Sequence, residues 1–271
     1  MTGRSNNYDQ FPTKEHPDQL PYPSYFKPMN WPEMEINGLA MKQFEVSEGG
    51  IENLRAIRDG MPYRVVPPGK YTKLVDKEQK VLWMSDTPAE AWEHQELFAA
   101  EGRIIIAGLG MGFALQALID KANDCGEAYE ITVVENDPRV IEMVGDRFTK
   151  QGVEVVHADI FNYLDFQKPG TIDYIWFDIW PTISADNLKE MGMLMAEAKR
   201  LKADCGCWGL RWIAKRCMDG YECEDDFSSH IGTMPEPYLL SVERKLLWKC
   251  GTIFAYCNNT FQDILGGKHE Y

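Results

Sequence analysis

Three acidic residues each follow a run of mostly apolar residues, and they are the first candidates for chemistry in this sequence. Glu135 ends the stretch EITVVE, Asp159 ends VEVVHAD, and Asp178 ends IDYIWFD. A carboxylate can accept both hydroxyl hydrogens of a ribose, or a hydrogen of an amino group. We therefore predict that Glu135 holds a ribose, that Asp159 accepts an adenine amino hydrogen, and that Asp178 lies at the mouth of the site.

A glycine-rich loop precedes these acids in the stretch IIIAGLGMGFA, residues 104–114. Branched apolar residues followed by glycines typically end a buried strand and open a helix over a nucleotide. The dinucleotide fingerprint needs a glycine where this chain has Phe113, and no Gly-Lys-Ser/Thr of a P-loop follows. The pattern is Gly-x-Gly-x-Gly, with Gly108, Gly110 and Gly112, and with Met111 inside the loop. Such a loop, followed by an acid at the end of each of three successive strands, indicates a nucleotide-binding site far more specifically than the glycines alone.

The segment WFDIWPT places Trp180 and Pro181 close behind Asp178. Asp178 can act as a general base for a hard nucleophile, or it can hold an ammonium group. Trp180 can stack on a planar or cationic ligand, or it can pack the loop as a wedge with Pro181. These alternatives stay open, and the three residues are the candidate catalytic group.

Asp86 and His94 are further candidates, in the stretch MSDTPAEAWEHQ. Thr87 is a good helix N-cap and Glu90 completes a capping box, so a helix is predicted to begin here. His94 either contacts a ligand at the site or is a surface histidine of that helix.

A parallel sheet is needed to bring these residues together. Strands are predicted at 103–108, 130–135, 153–159, 172–178 and 207–212, and helices at 113–122, 138–148 and about 185–202. Continuous apolar strands interleaved with helices are typical of a mostly parallel sheet with helices on both faces. In such sheets, ligands bind beyond the carboxyl ends of the strands. The predicted fold class is therefore α/β, Rossmann-like.

Three parts of the chain are predicted. Residues 1–32 carry six prolines and six aromatic residues and are expected to form an extended arm on its own surface or on a neighbour's. Residues 33–102 are predicted to form a small α+β appendage or lid, with a short helix within 47–59 and a hairpin from YTKLV and KVLWM. Residues 103–271 form the Rossmann-like domain, with a β pair predicted within 245–257.

Charge and composition limit the partners. The net charge of −14 argues against binding bulk duplex nucleic acid through its phosphates and mildly favours a neutral, cationic or protein substrate. We expect no membrane span and no secretory signal, because no long apolar run is present. Seven irregularly spaced cysteines fit a reducing cytoplasm. Cys205, Cys207, Cys217 and Cys223 match no standard zinc spacing, so no metal is predicted.

The loop and the three acids together resemble class I S-adenosylmethionine-dependent methyltransferases over roughly residues 103–210. The resemblance implies S-adenosylmethionine as the cofactor and S-adenosylhomocysteine as the product. It also implies that the glycines line the methionine part, that Glu135 holds the ribose, and that Asp159 and Ile160 flank the adenine. The residues assigned to the cofactor are Gly108, Gly110, Met111, Gly112, Glu135, Asn136, Asp159, Ile160, Asp178, His94 and Asp86.

The wider pattern is similar to spermidine synthases, in the hairpin and helix before the loop and in VVENDPRVIEMV. The chain differs from them at Met111, where they have an aspartate, and at DIWP, where they have two acids. The combination of MSDTPAE, GLGMG, VVENDP and WFDIWP looks most like methyltransferase-like proteins of tailed phages and bacteria. A viral member would work in the host cytoplasm.

Three hypotheses follow from these patterns. The first is a methyltransferase of unknown acceptor, with a homo-oligomer formed through the arm as one arrangement. The second is aminopropyl transfer to a polyamine. The third is a nucleotide-binding protein without catalysis that acts in virion assembly or host interaction.

Overall fold

A computed structural model describes residues 22–47, 53, 66–210 and 213, and these residues form two sheets. The first sheet is antiparallel, in the order β1 (Met34–Ile36), β2 (Leu39–Val46), β3 (Gly69–Asp76) and β4 (Val81–Ser85). The second contains β5 (Arg103–Ala107), β6 (Glu130–Glu135), β7 (Glu154–His157), β8 (Tyr174–Phe177) and β9 (Asp204–Cys207). Its order is β7-β6-β5-β8-β9, and every neighbouring pair is parallel.

The first helix lies between β4 and β5, and the other helices connect the strands of the second sheet. Their bounds are α1 (Pro88–Glu93), α2 (Phe113–Cys125), α3 (Pro138–Val140), α4 (Asp146–Thr149), α5 (Ile160–Asp165) and α6 (Leu188–Leu201). A π-helical turn (Ile141–Gly145) separates α3 from α4, and 3₁₀ turns lie at Gln95–Ala99 and Ala185–Asn187. In the described part of the chain, no helix combines the length and the apolar character that a membrane crossing requires.

The parallel sheet carries the core. All four residues of β8 are buried, as are Ile104 to Ala107 of β5. Strands at the centre of a parallel sheet are covered on both faces, so apolar residues are needed at every position rather than at every second one. The α/β class and the Rossmann-like parallel sheet flanked by helices are thereby confirmed.

Several predicted elements differ from the structure. The fifth parallel strand was placed at 207–212, but β9 spans Asp204–Cys207, and Trp208 and Gly209 form a turn. The helix predicted at 138–148 is broken by the π turn, and α1 gives way to a 3₁₀ turn after Glu93. Most of the short helix within 47–59, the β pair within 245–257, Cys217 and Cys223 lie outside the described residues.

The described end of the predicted arm, from Tyr22 onward, packs against its own chain. Phe26, Met29 and Trp31 are buried in the main core. The indole N–H of Trp31 donates to the carbonyl of Met111 at 3.0 Å, and the hydroxyl of Tyr22 donates to the carbonyl of Asp86 at 2.6 Å. This segment therefore supports the back of the glycine loop. The division into three parts stays a prediction.

Arg139 joins the two sheets. Its guanidinium donates to Asp76 at 3.0 Å and to Asp137 at 2.7 Å, and also to the carbonyl of Asn37 at 3.1 Å. The pKa of Asp76 is lowered by hydrogen bonds from the backbone of Gln79 and from Arg139, and the pKa of Asp137 is lowered by its hydrogen bonds from Arg139. Arg139 thus holds the β1–β2 turn and the end of β3 beside the carboxyl end of β6.

Candidate active site

A cavity of about 680 Å³ opens at the carboxyl ends of the parallel strands. The chain runs from β5 outward to β6 and β7, and then returns to the other side of β5 as β8 and β9. The strand order therefore switches between β5 and β8, where a crevice forms in open α/β sheets. The lining residues beyond β6 and β7 include Glu135, Asn136, Asp137, Asp159 and Ile160. Those beyond β8 and β9 are Asp178, Ile179, Trp180, Pro181 and Trp208.

The glycine loop crosses the switch point in a backbone form that favours glycine. Gly108, Gly110 and Gly112 all have positive φ values, of 93°, 51° and 74°. A Cβ at Gly108 would overlap the carbonyl oxygen of Asp178, so the loop and the β8 end are in direct backbone contact. Gly108 and Gly110 line the cavity, whereas a Cβ at Gly112 would overlap the ring of Phe148 on the other side. Gly112 is not among the lining residues described.

Glu135 ends β6 with only 8% of its surface exposed, and it still lines the cavity. One carboxylate oxygen accepts the N–H of Leu109 in the glycine loop at 2.7 Å, and the other accepts the N–H of Asp137 at 2.7 Å. Burial raises the pKa of Glu135, and the two backbone N–H groups oppose that rise. Each carboxylate oxygen has a second lone pair, so Glu135 can shape the loop and still accept hydrogens from a ligand.

The adenine candidates also lie at the cavity. Asp159 follows β7 and is the N-cap of α5, where its carboxylate accepts the N–H of Asn162 at 3.2 Å. Ile160 begins α5 and is buried against the core. Asn136 follows Glu135, and its carbonyl lies 3.1 Å from the ring Nε2 of His157. The structure thus brings these residues to the same side of the sheet as Glu135.

Asp178 stands directly after β8, and its N–H donates to the carbonyl of Ala107 at 2.8 Å. Its side chain retains 21% exposure, toward the cavity. Burial raises the pKa of Asp178 to about 7, against the opposing effect of His94 and with a further rise from Glu90 and Glu135. A carboxylate with this pKa can be charged or protonated near neutral pH, which suits a group that takes up a proton.

Trp180 is held in place by a residue that the sequence analysis did not single out. Its indole N–H donates to Glu190 of α6 at 2.8 Å, and both side chains line the cavity. Trp180 is only 6% exposed, so it contributes to the wall and also packs against the core. Both earlier interpretations of Trp180 remain compatible with this position. Pro181 lies on the same wall and is exposed.

His94 is completely buried and is not one of the described lining residues. Its Nδ1 lies 3.7 Å from Asp178, and its Nε2 lies 3.5 Å from Glu90, one turn earlier along the chain. Glu90 lines the cavity itself, although its place on α1 had suggested only a capping role. The spacing of four residues between Glu90 and His94 was the available sequence signal, because such pairs lie side by side on a helix.

Asp86 and Met111 are buried and are not among the described lining residues. The carboxylate of Asp86 accepts the N–H of Met29 at 2.7 Å and that of Thr72 at 2.6 Å. It thus ties the 22–31 segment to β3. The N–H of Met111 faces the sulfur of Met84 at 3.1 Å, and its carbonyl accepts from Trp31.

We expect Asp86→Ala to act mainly on stability. Two buried N–H groups would lose a carboxylate acceptor, which should lower the free energy of unfolding by about 2–4 kcal/mol. Denaturant unfolding measures this loss. Asp124→Ala is the control, because Asp124 accepts a hydrogen bond from Tyr25 at the surface, where losses stay within about 0.5 kcal/mol. Wild-type stability together with a large loss of cofactor affinity would contradict this expectation and favour direct binding.

The cavity wall is strongly acidic. Six carboxylates line it, from Glu90, Glu135, Asp137, Asp159, Asp178 and Glu190. Arg139 is the one basic residue in the described lining, and its guanidinium is taken up by Asp76 and Asp137. Such a wall favours a ligand that carries positive charge.

No metal centre is found among the described residues, where no three His, Cys, Asp or Glu side chains are placed to share an ion. Of the cysteine cluster, the structure describes Cys205, which is half-buried, and Cys207, which is buried. Burial raises the pKa of both thiols, that of Cys205 to about 12. A raised pKa disfavours the reactive thiolate form of both cysteines at neutral pH.

Comparisons with known proteins give structural likenesses only. No family model matches the chain, and no curated protein matches it. The SAH-bound methyltransferase PaMTH1 of Podospora anserina is 14% identical, with a TM-score of 0.40 over 82% of this chain and 81% of that one. MNMC2 from Aquifex aeolicus is 13% identical, with a TM-score of 0.34 over 48% and 53% of the two chains. A SAM-dependent methyltransferase from Aquifex aeolicus is 20% identical, with a TM-score of 0.28 over 40% and 55%. At these identities and overlaps, neither the reaction nor the substrate of this chain follows from the likeness.

Proposed function

We propose that this protein is an S-adenosylmethionine-dependent methyltransferase whose acceptor is not identified by the sequence. The observation that carries the proposal is the acidic cavity at the switch point, which is lined by Gly108, Glu135, Asp159 and Asp178. A positively charged nucleoside fits that wall better than a dinucleotide with its anionic pyrophosphate. The sequence resemblance to class I methyltransferases supports the same choice.

In this proposal the cofactor and the acceptor occupy different parts of the cavity. Beyond β6 and β7, Glu135 would hold the ribose hydroxyls and Asp159 and Ile160 the adenine. Near β5, Gly108 and Gly110 would line the methionine part. The β8–β9 side, with Asp178, Trp180 and Trp208, is then left for the reacting group and the acceptor.

S-adenosylmethionine, when bound, supplies a methyl group on a cationic sulfur. The residues of the chain would align the acceptor with that methyl group and exclude water from it. Asp178 would either take the proton that the acceptor loses or hold the ammonium group of the cofactor. Trp180 and Trp208 would form the wall against which the acceptor lies.

The cofactor proposal predicts that S-adenosylhomocysteine binds more tightly than NAD. We also expect Glu135→Ala to weaken S-adenosylhomocysteine binding at least about tenfold, because one hydrogen bond to a charged group is worth about 1.5–3 kcal/mol. Isothermal calorimetry measures both affinities. Glu130→Ala is the matched control, since Glu130 is exposed at the opposite end of the same strand. Tighter binding of NAD, or unchanged binding by Glu135→Ala, would refute the proposal.

Aminopropyl transfer to a polyamine is the alternative that the acidic wall also accommodates. It would use decarboxylated S-adenosylmethionine as the donor, break the bond from sulfur to the aminopropyl group, and release methylthioadenosine rather than S-adenosylhomocysteine. Mass spectrometry of the small molecule that co-purifies with the protein, and of its products, separates the two reactions. A nucleotide-binding protein without catalysis would yield neither product. We further propose that the protein belongs to a spermidine-synthase-like subgroup that includes phage proteins. We also propose that it works in the cytoplasm, that of the host if it is viral, and forms a homo-oligomer through the arm.

A further inference from the structure

His94 is a buried titratable residue at the site that the proposed reaction leaves without a role. Its side chain is 0% exposed. Rings from four segments surround the imidazole at centroid distances of 6.1–6.4 Å, namely Phe26, Phe113, Trp176 and Trp208. A ring enclosed in this way has little freedom to turn, so the direction of its two nitrogens is set by packing.

Each nitrogen of His94 lies within ion-pair distance of a different carboxylate of the cavity wall, although neither makes a hydrogen bond of normal geometry. Nδ1 lies 3.7 Å from Asp178 and Nε2 lies 3.5 Å from Glu90. Neither nitrogen has a closer hydrogen-bond partner among the described residues. Since Asp178 and Glu90 line the cavity and His94 does not, the imidazole lies behind the wall and between the two acids.

The chemistry of imidazole favours the charged form in this position. A neutral ring has one N–H donor and would turn a lone pair toward one of the two carboxylates, whereas the imidazolium has a donor for each. Burial opposes protonation, but Asp178, Glu90 and Glu93 outweigh it and raise the pKa of His94. The rings that enclose the imidazole carry no charge. A protonated His94 would place a positive charge behind the acidic wall.

We propose that His94 is a positioning residue, a buried imidazolium that favours the ionised form of Asp178 and holds Asp178 and Glu90 in place at the cavity wall. Without it, Asp178 would face Glu90 and Glu135 with no opposing charge, and its protonated form would become favoured. The consequence for ligand binding rests on the proposed function, in which Asp178 meets a cationic part of the cofactor. The charge state of His94 itself does not depend on that function.

The first test uses the free protein and needs no ligand. NMR titration of the imidazole nitrogens, with the His94 signal assigned through His94→Gln, should show His94 protonated at pH 7. The pKa of His94 should fall in Asp178→Asn. A neutral His94 at pH 7 in the wild type, or an unchanged pKa in Asp178→Asn, would overturn the proposal.

The second test measures S-adenosylhomocysteine affinity by calorimetry between pH 6 and pH 9. In His94→Gln the pKa of Asp178 should rise, and each unit of rise lowers the ionised fraction about tenfold at a pH below it. Affinity should therefore be lost near pH 7 and recover toward wild type as the pH rises. Phe26→Leu is the control, since it trims the ring packing without removing charge and should act equally at every pH.

The outcomes of the two tests are separable. If His94→Gln loses the same amount of S-adenosylhomocysteine affinity at every pH, His94 has a packing role alone and the proposal is refuted. Absence of S-adenosylhomocysteine binding by the wild type would refute the proposed function, while the NMR titration would still decide the charge and the partner of His94. If His94→Gln does not fold, the wild-type and Asp178→Asn titrations remain decisive, with the His94 signal identified by its shift.

Discussion

Asp178→Asn is expected either to abolish the pH dependence of cofactor binding or to remove methyl transfer. Which of the two is lost identifies the role of Asp178. In the wild type the pKa of Asp178 is raised to about 7, so its charge is gained as the pH rises through that value. If Asp178 holds the cofactor ammonium, S-adenosylhomocysteine affinity rises with pH through this range in the wild type. It is low and flat in Asp178→Asn, because an amide has no charge to gain. Calorimetry across pH 5.5–9 measures the effect.

The other role of Asp178 leaves a different pattern. If it is the base, Asp178→Asn should bind the cofactor almost normally, yet lose turnover by about two to four orders of magnitude. Turnover is measured as S-adenosylhomocysteine formed with an acceptor identified by mass spectrometry. Asp137→Asn is the comparison, because Asp137 also lines the cavity but is paired with Arg139. A variant that keeps both wild-type affinity and turnover would contradict both roles and favour the non-catalytic hypothesis.

Gly108→Ala is expected to destabilise the protein much more than the same change at another glycine of positive φ. A Cβ at Gly108 would overlap the backbone carbonyl oxygen of Asp178, so β5 and β8 would have to separate where the site is built. Overpacking costs about 1–3 kcal/mol, and a left-handed backbone adds about 1–2 kcal/mol for a residue with a Cβ. Denaturant unfolding should therefore show a loss of about 2–5 kcal/mol.

Gly126→Ala is the matched control for Gly108→Ala. Gly126 has a φ of 68°, and a Cβ there would meet nothing within 4 Å. Its cost should be that of the backbone conformation alone, about 1–2 kcal/mol. Equal losses at Gly108 and Gly126 would show that the close approach to Asp178 is relieved at no cost, contrary to our expectation.

The parallel sheet could be predicted because its signals are local. Apolar residues fill β8 and all but the first position of β5, and two valines precede Glu135 at the end of β6. Glu135 and Asp178 each come directly after such an apolar stretch. Burial on both faces demands apolar residues throughout, and the first polar residue then marks the end of the strand. The fifth strand was misplaced because β9 has the sequence DCGC, which lacks that signal. Gly206 is required there by the ring of Trp176 in the neighbouring strand, which is a tertiary contact.

The roles of individual side chains in the site depended on contacts between distant residues. The cofactor role of Asp86 stays a prediction, and the structure shows that its carboxylate accepts hydrogen bonds from the N–H groups of Met29 and Thr72. Glu190 was not singled out, although it lines the cavity and fixes Trp180 from a helix that begins several residues later. Neither position could be deduced from spacing along the chain.

The amino-acid sequence by itself determined the strand–helix alternation, the glycine loop and the acids at the strand ends. Each of these is set within a few residues by burial and by backbone conformation. The tertiary structure alone decided that His94 lies behind the wall between Glu90 and Asp178, and that Asp86 supports the 22–31 segment. The physical reason is that a carboxylate or an imidazole takes its charge and direction from the groups packed around it. At this site those groups come from segments that are far apart in the chain and meet only when the two sheets are assembled.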